Sequence, residues 1–305
     1  MRRLWLVVLF ALSQAGCTQS ARAVMACKAS ATVITMPNER LVLQNLTNGQ
    51  GGREIMSATF AGNVAEVRRL AARDPKLLTT HVPPPVGQDF NPDGQFGDLL
   101  TVAVSRCDRT LTDALIELGA DPTGAVPGLP LDFAIRMGDL NAVHHLLEAG
   151  ASPNPAGGEG IDPVDTVSSQ ADPEAARLLI AFGARLNRID SVGGGPLQYA
   201  VAKNSMRVAE IFVDAGADPW AVSTGGRTPA FNISKPLLLY SEEEEAARQR
   251  LIAKLRKPGV PWPPPNPAAV RAAIRADAWP PPELRAVGVK PAHAMAVEDA
   301  RSRSD

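Results

Sequence analysis

Residues 130–154, with the sequence PLDFAIRMGDLNAVHHLLEAGASPN, read as two short helices separated by a turn. The apolar residues between Leu131 and Ile135 have the spacing of one helix face, and Gly138 then breaks that helix. A second apolar face follows and ends before Gly150, where a left-handed C-cap is expected. Such a pair cannot bury both of its apolar faces alone, so the stretch predicts further copies stacked against it.

The chain repeats this unit every 33 residues. Prolines suited to the first turn of a helix recur with this step at Pro130, Pro163, Pro196 and Pro229. Gly-Ala pairs that close the second helix recur at Gly150, Gly183 and Gly216. In each unit a small residue precedes the glycine at the point where two helices pack closely; these residues are Ala103, Ala134, Val167 and Ala200.

These motifs resemble the ankyrin-repeat family over residues 54–262. The matching segments are PLDFAIRMGD at 130–139, GPLQYAVAKN at 195–204, LIELGADPT at 115–123, HLLEAGASPN at 145–154 and FVDAGADPW at 212–220. The resemblance implies an all-α solenoid of five to six helix-turn-helix units with a degenerate C-terminal cap. It also implies a monomeric, non-enzymatic module that binds another protein.

In this family the partner contacts the concave surface, made of the hairpin tips and the exposed side of each first helix. Carried over to this sequence, the resemblance places the following residues there: Arg106, Phe133, Arg136, Met137, Ser169, Gln170, Tyr199 and Lys203. Phe133 and Tyr199 are the notable members, because exposed aromatic and Arg side chains are the usual anchors of interfaces. The alternative is that both aromatic rings fill gaps between neighbouring units.

The segment 79–98 is too long for a repeat hairpin and predicts an insertion. Insertions in repeat arrays fall in loops, often on the binding face. Phe90 and Phe96 are therefore candidate partner contacts, and a spacer without partner contacts is the alternative.

The N-terminus has the pattern of an export signal. Positive charge at residues 1–3 precedes a nine-residue apolar run, LWLVVLFAL, at 4–12. This run is too short to cross a bilayer but suits a signal peptide. Ser13 to Cys17 (SQAGC) resembles a bacterial lipoprotein cleavage box, although Gln14 stands where Leu is preferred. The resemblance predicts a signal peptide at 1–16, lipidated Cys17 and a tether at 17–53; the alternative is ordinary cleavage after Ala15 or Ala23.

The C-terminal unit departs from the repeat. Ser241 followed by four Glu residues has the spacing of a capping box, and carboxylates in a first turn suit the positive end of the helix dipole. Residues 263–305 form a Pro-rich cap and tail, with proline triplets after Trp262 and Trp279. We expect both indoles to lie on the last helices, rather than to display a polyproline ligand.

The composition and motifs argue against nucleic-acid binding, metal binding and catalysis. The formal net charge of −1 gives no basic excess for nucleic acid. His144 and His145 are adjacent and point to different sides of a helix, so we expect no metal site and no cofactor. No Ser-His-Asp set or phosphate loop is present. If Cys17 is lipidated, Cys27 and Cys107 are a candidate disulfide pair, or else two free thiols.

The sequence thus predicts a binding protein in the bacterial envelope, periplasmic and held at the outer membrane through Cys17. A scaffold or adaptor role is favoured. An immunity protein that binds and masks a periplasm-directed toxin is the alternative, and an envelope enzyme is the third interpretation.

Overall fold

The chain is an all-α repeat solenoid. The computed structural model describes residues 35–83, 96–155, 161–190, 193–236 and 241–289. Within these ranges the chain forms fifteen α-helices, one 3-10 helix and a single isolated β-bridge, between His81 and Asp98. The leader and Cys17 lie outside the described residues. None of the helices in these ranges is long and apolar enough to cross a membrane.

Six helix pairs, here called units 1 to 6, follow one another along the described chain. They are α2 (Gly49–Phe60) with α3 (Val64–Arg73), α4 (Leu99–Ser105) with α5 (Arg109–Glu117), α6 (Leu129–Arg136) with α7 (Leu140–Glu148), α8 (Pro163–Gln170) with α9 (Pro173–Ala181), α10 (Pro196–Ala202) with α11 (Met206–Asp214), and α12 (Pro229–Ile233) with α13 (Glu242–Leu255). A short helix α1 (Glu39–Val42) precedes them, a 3-10 turn (Pro75–Thr79) follows unit 1, and α14 (Pro267–Arg275) and α15 (Pro282–Ala286) end the described chain.

Unit 1 begins earlier than the sequence suggests. Its first helix starts at Gly49, ahead of Glu54, because Asn48 ties this end of the helix to the turn after unit 1. The Asn48 amide donates to the Lys76 carbonyl and to Thr80 Oγ1, each at 3.1 Å. The preceding segment, predicted as a tether, also contains the short helix α1 with the fully buried Val42.

The units stack in register. First helices contact the first helices of the next unit, and second helices contact second helices extensively except between units 2 and 3. Every extensively contacting pair lies within one unit or in neighbouring units. The four small residues predicted at the close contact inside each unit, Ala103, Ala134, Val167 and Ala200, are all completely buried. The buried residues of successive units therefore form one continuous apolar core, as the 33-residue period predicts.

Two asparagines one period apart join successive units. The Asn154 amide donates to the Gly183 carbonyl at 2.9 Å, and its oxygen accepts from the Arg185 N–H at 2.7 Å. Asn187 makes the same two bonds to Gly216 and Asp218, at 2.9 and 2.7 Å. Both glycines have positive φ, 87° and 92°, which a residue with a Cβ adopts only under strain. These asparagine clips fix each inter-unit loop to the next loop.

The acidic run of unit 6 has a structural role. The Ser241 hydroxyl accepts from the Glu244 N–H at 3.3 Å, which is one half of the predicted capping box. The Glu244 carboxylate turns to unit 5 instead, accepting from Arg207 N at 2.9 Å and from Arg207 Nε at 2.7 Å. Ser205, the N-cap residue of α11, makes no side-chain cap of its own. Glu244 therefore caps a helix of the preceding unit.

The C-terminal segment closes the stack. Trp279 is buried and Trp262 packs partly buried against the core, as expected for an end cap. Helix α14 lies on the loop before unit 6, where Arg271 Nη1 donates to the Gly225 carbonyl at 3.0 Å.

Glu210 links units 5 and 6. Its carboxylate accepts from Arg250 Nη2 at 2.7 Å and from Lys254 Nζ at 3.0 Å. Burial alone would raise the pKa of Glu210, but the hydrogen bonds from Arg250 and Lys254 outweigh it and lower the pKa below its usual value. The stabilisation from this carboxylate is therefore present above the unfolded-state pKa and is lost as the pH falls through the folded-state pKa.

We predict that Glu210→Gln lowers the free energy of unfolding by about 1 kcal/mol near pH 7, because the charged hydrogen bonds are weakened. The difference from the unsubstituted protein should shrink as urea unfolding is repeated at progressively lower pH, because the Glu210 carboxyl becomes protonated in the folded state as well as in the unfolded state. Glu174→Gln, which removes a well-exposed pair with Arg177, is the matched control and should cost much less at either pH. Equal costs for the two variants would contradict the prediction.

Candidate functional site

The predicted contact residues fall at equivalent places in successive units. Arg106, Met137 and Lys203 are the C-cap residues of α4, α6 and α10, and Gln170 ends α8. The structure therefore brings these four positions into a row along the ends of the first helices. Lys203 is exposed, whereas Arg106 and Met137 are half-buried.

Phe133 does not stand on an exposed face. Its side chain is 2% exposed, and its ring centroid lies 5.8 Å from that of Phe96. The expectation of an exposed anchor at Phe133 is wrong, because the ring fills the seam of the stack, which was the alternative interpretation. Phe96 is 5% exposed and is likewise not available to a partner.

The ends of the 79–98 insertion are held against the stack. Val82 N donates to the Gly97 carbonyl at 2.9 Å, beside the bridge between His81 and Asp98. These contacts place Phe96 over Phe133 and make this end of the insertion part of the core. Phe90 lies outside the described residues.

Arg136 is also engaged within the fold. Its Nε donates to Asp132 Oδ2 at 2.8 Å, and Thr166 of the next first helix donates to Asp132 Oδ1 at 2.5 Å. Asp132 is a buried carboxylate, so these two bonds compensate its desolvation. Arg136 thus supports the packing of α6 on α8, with about a third of its side chain left exposed.

The first-helix side of units 2 and 3 is closed, and that of units 4 and 5 is open. Every residue of α4 is buried, as is α6 from Leu129 to Ile135. In α8 and α10, by contrast, polar side chains remain half-buried or exposed. We call the polar cluster on this side of units 4 and 5 the open groove; it consists of Asp162, Asp165, Arg188, Asp190 and Tyr199.

The open groove is built from two helices and one loop. Asp162 is the N-cap of α8, Asp165 lies in its first turn, and Tyr199 lies on α10. The loop between units 4 and 5 supplies Arg188 and Asp190. Asp190 holds this loop, because its N–H donates to the Gly194 carbonyl at 2.9 Å and its Oδ1 accepts from Gly194 N at 2.7 Å.

Arg188 is the centre of the cluster. Its Nε lies 2.6 Å from Asp162 Oδ2 and its Nη2 lies 2.6 Å from Asp165 Oδ1, as ion pairs without aligned hydrogen bonds. The Tyr199 hydroxyl donates to Asp190 Oδ2. Three carboxylates thus surround one guanidinium, which leaves an excess of negative charge.

The electrostatic environment of the groove keeps the Tyr199 hydroxyl and the Arg188 guanidinium protonated. Burial, followed by the hydrogen bond to Asp190, raises the pKa of Tyr199 to about 12. Burial also raises the pKa of Asp162, and the neighbouring Asp165 adds to this, against the opposing effect of Arg188. Burial would lower the pKa of Arg188, but its carboxylate partners raise it overall. The groove therefore presents a phenol donor and partly desolvated carboxylates, which suit a cationic group on a binding partner.

The sequence interpretation selected Tyr199 but missed the acidic residues and Arg188. Asp162 and Asp165 look like ordinary first-turn carboxylates, and Arg188 lies in a loop one period further on. Only the stacking of units brings them together. Among the described residues there is no group of three or more His, Cys, Asp or Glu side chains placed to hold a metal ion.

Cys107 is disulfide-bonded, and it follows α4 with a positive φ of 54°. Cys27 lies outside the described residues, as does Cys17, so the pairing of Cys27 with Cys107 stays a prediction.

Comparison with known proteins finds distant relatives. The chain is 37% identical over 87 residues to the Ankyrin repeat and LEM domain-containing protein 1 homolog of Caenorhabditis elegans, which covers 28% of this chain and 12% of that protein. It is 31% identical over 152 residues to Protein PhlB of Serratia liquefaciens, covering 47% of this chain and 65% of the relative. It is 31% identical over 131 residues to the E3 ubiquitin-protein ligase KEG of Arabidopsis thaliana, covering 41% of this chain and 8% of the relative.

The matches therefore span less than two thirds of each of these relatives. No family model matches the chain. The relative named for its ankyrin repeats supports ankyrin-like repeats here, in agreement with the stacked helix pairs.

We predict that Phe133→Ala lowers the free energy of unfolding by about 3–5 kcal/mol, because it empties a packed seam. Tyr199→Phe should cost only about 1 kcal/mol, since it removes one hydrogen bond and keeps the ring. Urea unfolding of both variants measures the difference. Phe182→Ala is the control, because this ring is 37% exposed, and its cost should stay near ~0.5 kcal/mol. A Phe133→Ala protein as stable as this control would contradict the seam assignment.

Proposed function

We propose that the protein is a non-enzymatic, protein-binding module of the bacterial cell envelope, which acts as a scaffold or adaptor through the open groove. The observation that carries this proposal is the contrast between the closed first-helix side of units 2 and 3 and the half-exposed polar cluster on units 4 and 5. The ankyrin-repeat relative supports a protein as the partner class.

The chemistry of the open groove indicates what it would hold. The carboxylates Asp162, Asp165 and Asp190 exceed the charge of Arg188, so an Arg or Lys side chain of a partner would gain attraction there. Tyr199 adds an aromatic surface with a polar tip, the combination that is common at binding hot spots. The exposed Lys203 lies at the end of the same helix and would contact the rim of an interface.

The same residues are poorly suited to catalysis. With its pKa raised to about 12, the Tyr199 hydroxyl stays protonated at neutral pH and is a weak nucleophile. Arg188 is already held by two carboxylates and is not placed to act as an acid or a base. These features favour binding over an enzymatic role.

The proposed location is the periplasm, with attachment to the outer membrane through lipidated Cys17. The apolar run at 4–12 and the SQAGC segment support export and lipidation. The disulfide at Cys107 agrees with an oxidising compartment, where such bonds persist.

A capture experiment tests the partner and the surface together. The mature chain should retain a protein from solubilised envelope membranes, and Tyr199→Ala or Asp165→Asn should weaken the complex by roughly thirtyfold, the equivalent of about 2 kcal/mol. Glu174→Gln, on the second-helix side, is the matched control and should bind normally. Retention that is insensitive to both groove variants would contradict the proposed surface. The identity of the captured protein distinguishes a scaffold role from the masking of a toxin.

The anchor is tested separately. We predict that Cys17→Ala abolishes labelling by a fatty-acid precursor and releases the protein into the soluble periplasmic fraction, because the thioether-linked lipid can no longer form. Ser13→Ala, which leaves the cysteine in place, is the control and should stay with the membrane. An unchanged mass and membrane association in Cys17→Ala would show that the leader is processed elsewhere.

A further inference from the structure

A cavity of about 960 Å³ lies between the last inter-unit loops and the C-terminal segment. Its apolar lining includes Leu186, Trp220, Val222, Leu255, Val287 and Val289. Five of these six residues are less than a tenth exposed, whereas Val287 is 38% exposed and lies where the cavity meets solvent. The volume is in the range of pockets that enclose small molecules.

The cavity exists because the chain after unit 6 does not form another standard unit. Helix α14 is fixed on the loop before unit 6, where Gly226 is so close that a Cβ would lie 2.7 Å from the Pro267 carbonyl oxygen. The chain then returns through α15, and residues 287–289 form one wall across from the loops of units 4 and 5. The C-terminal cap thus bridges the loops without filling the space beneath it.

The cavity offers few free backbone donors. Ala217 N donates to the Phe212 carbonyl, Asp218 N to Asn187 Oδ1, and Ala221 N to the Asp218 carbonyl. Trp220 N donates to Asp218 Oδ1. Because these amides of the lining are already paired, an extended peptide would gain little from them. A ligand with an apolar chain has no backbone groups that need hydrogen-bond partners.

Within the described part of the chain, one cation that lines the cavity has no ion-pair partner. Lys254 Nζ is shared between Glu210, at 3.0 Å, and Asp214, at 2.7 Å, and Arg188 is held by Asp162 and Asp165. Lys257 lines the same cavity and forms no ion pair with any residue in the described ranges. Among the described residues, the site therefore combines an apolar wall with the ammonium group of Lys257, which has no ion-pair partner there.

We propose that this cavity binds a small amphiphile with an apolar chain and a carboxylate head group, of the long-chain fatty acid class. The chain lies along Trp220, Val222 and Val289, and the head group pairs with Lys257. This site adjoins the open groove, since Arg188 lines both, but its apolar wall and Lys257 lie outside the groove, and binding there does not depend on a protein partner.

The test uses 11-(dansylamino)undecanoic acid, a fluorescent fatty acid, titrated into the full chain. We expect saturable binding of one probe per chain. Lys257→Glu should weaken binding at least tenfold by removing the head-group partner, and Val287→Asp should weaken it by placing charge on the apolar wall. Both residues are partly or fully exposed, so the fold should survive, and circular dichroism checks this.

Lys76→Glu is the matched control, because it makes the same charge change at an exposed lysine in the turn after unit 1, which does not line the cavity. It should leave the affinity unchanged. Equal weakening by Lys76→Glu and Lys257→Glu would overturn the proposal, as would the absence of saturable binding. Equally tight binding of the corresponding dansyl alcohol would overturn the carboxylate assignment, and tight binding of an apolar peptide in place of the probe would overturn the ligand class.

Discussion

The structure depends on the small, buried residue of the first helix in units 2 to 5. Ala103, Ala134, Val167 and Ala200 have no exposed surface, and their small size lets the two helices of a pair approach closely. The larger apolar side chains of a single pair would remain in water without a neighbouring unit. Burial is therefore complete only when units are stacked, which makes the array, and not the unit, the cooperative structure.

The same stacking decides which surface is available. In units 2 and 3 the first helices are buried throughout, and Phe96 from the insertion packs on Phe133 to complete the core. In units 4 and 5 the equivalent space holds polar side chains: Thr166 and Tyr199 occupy the positions that correspond to Phe133. Thr166 is as buried as Phe133, whereas Tyr199 is half-buried, so a polar side chain at this repeat position accompanies an accessible surface in unit 5.

The fold was predictable from the sequence because it depends on local signals that recur. Each unit is predicted by its own local signals, which are a proline that starts a helix, a glycine that closes one and a small residue at the helix contact. The 33-residue step between these signals predicts that the units stack. The exposure of Phe133 was not predictable, since its environment depends on Phe96, which is brought there by a long insertion. The cluster around Arg188 was equally hidden, because its members are separated in the sequence and meet only across neighbouring units. Periodicity predicts where a residue lies within a unit, but not what the next unit places beside it.

The asparagine clips have a consequence for how such a chain changes length. The side chains of Asn154 and Asn187 bond to backbone groups of the following loop, so these bonds do not depend on which side chains that loop carries. A duplicated or deleted segment of one full period would therefore meet the same donors and acceptors at both of its joints. The array is consequently tolerant of gain or loss of whole units in its middle. Its last unit is not interchangeable in this way, because Glu244 must reach back to Arg207. We therefore expect whole units to be gained or lost more readily in the interior than at the C-terminal end, where Glu244 and Arg207 must be kept together.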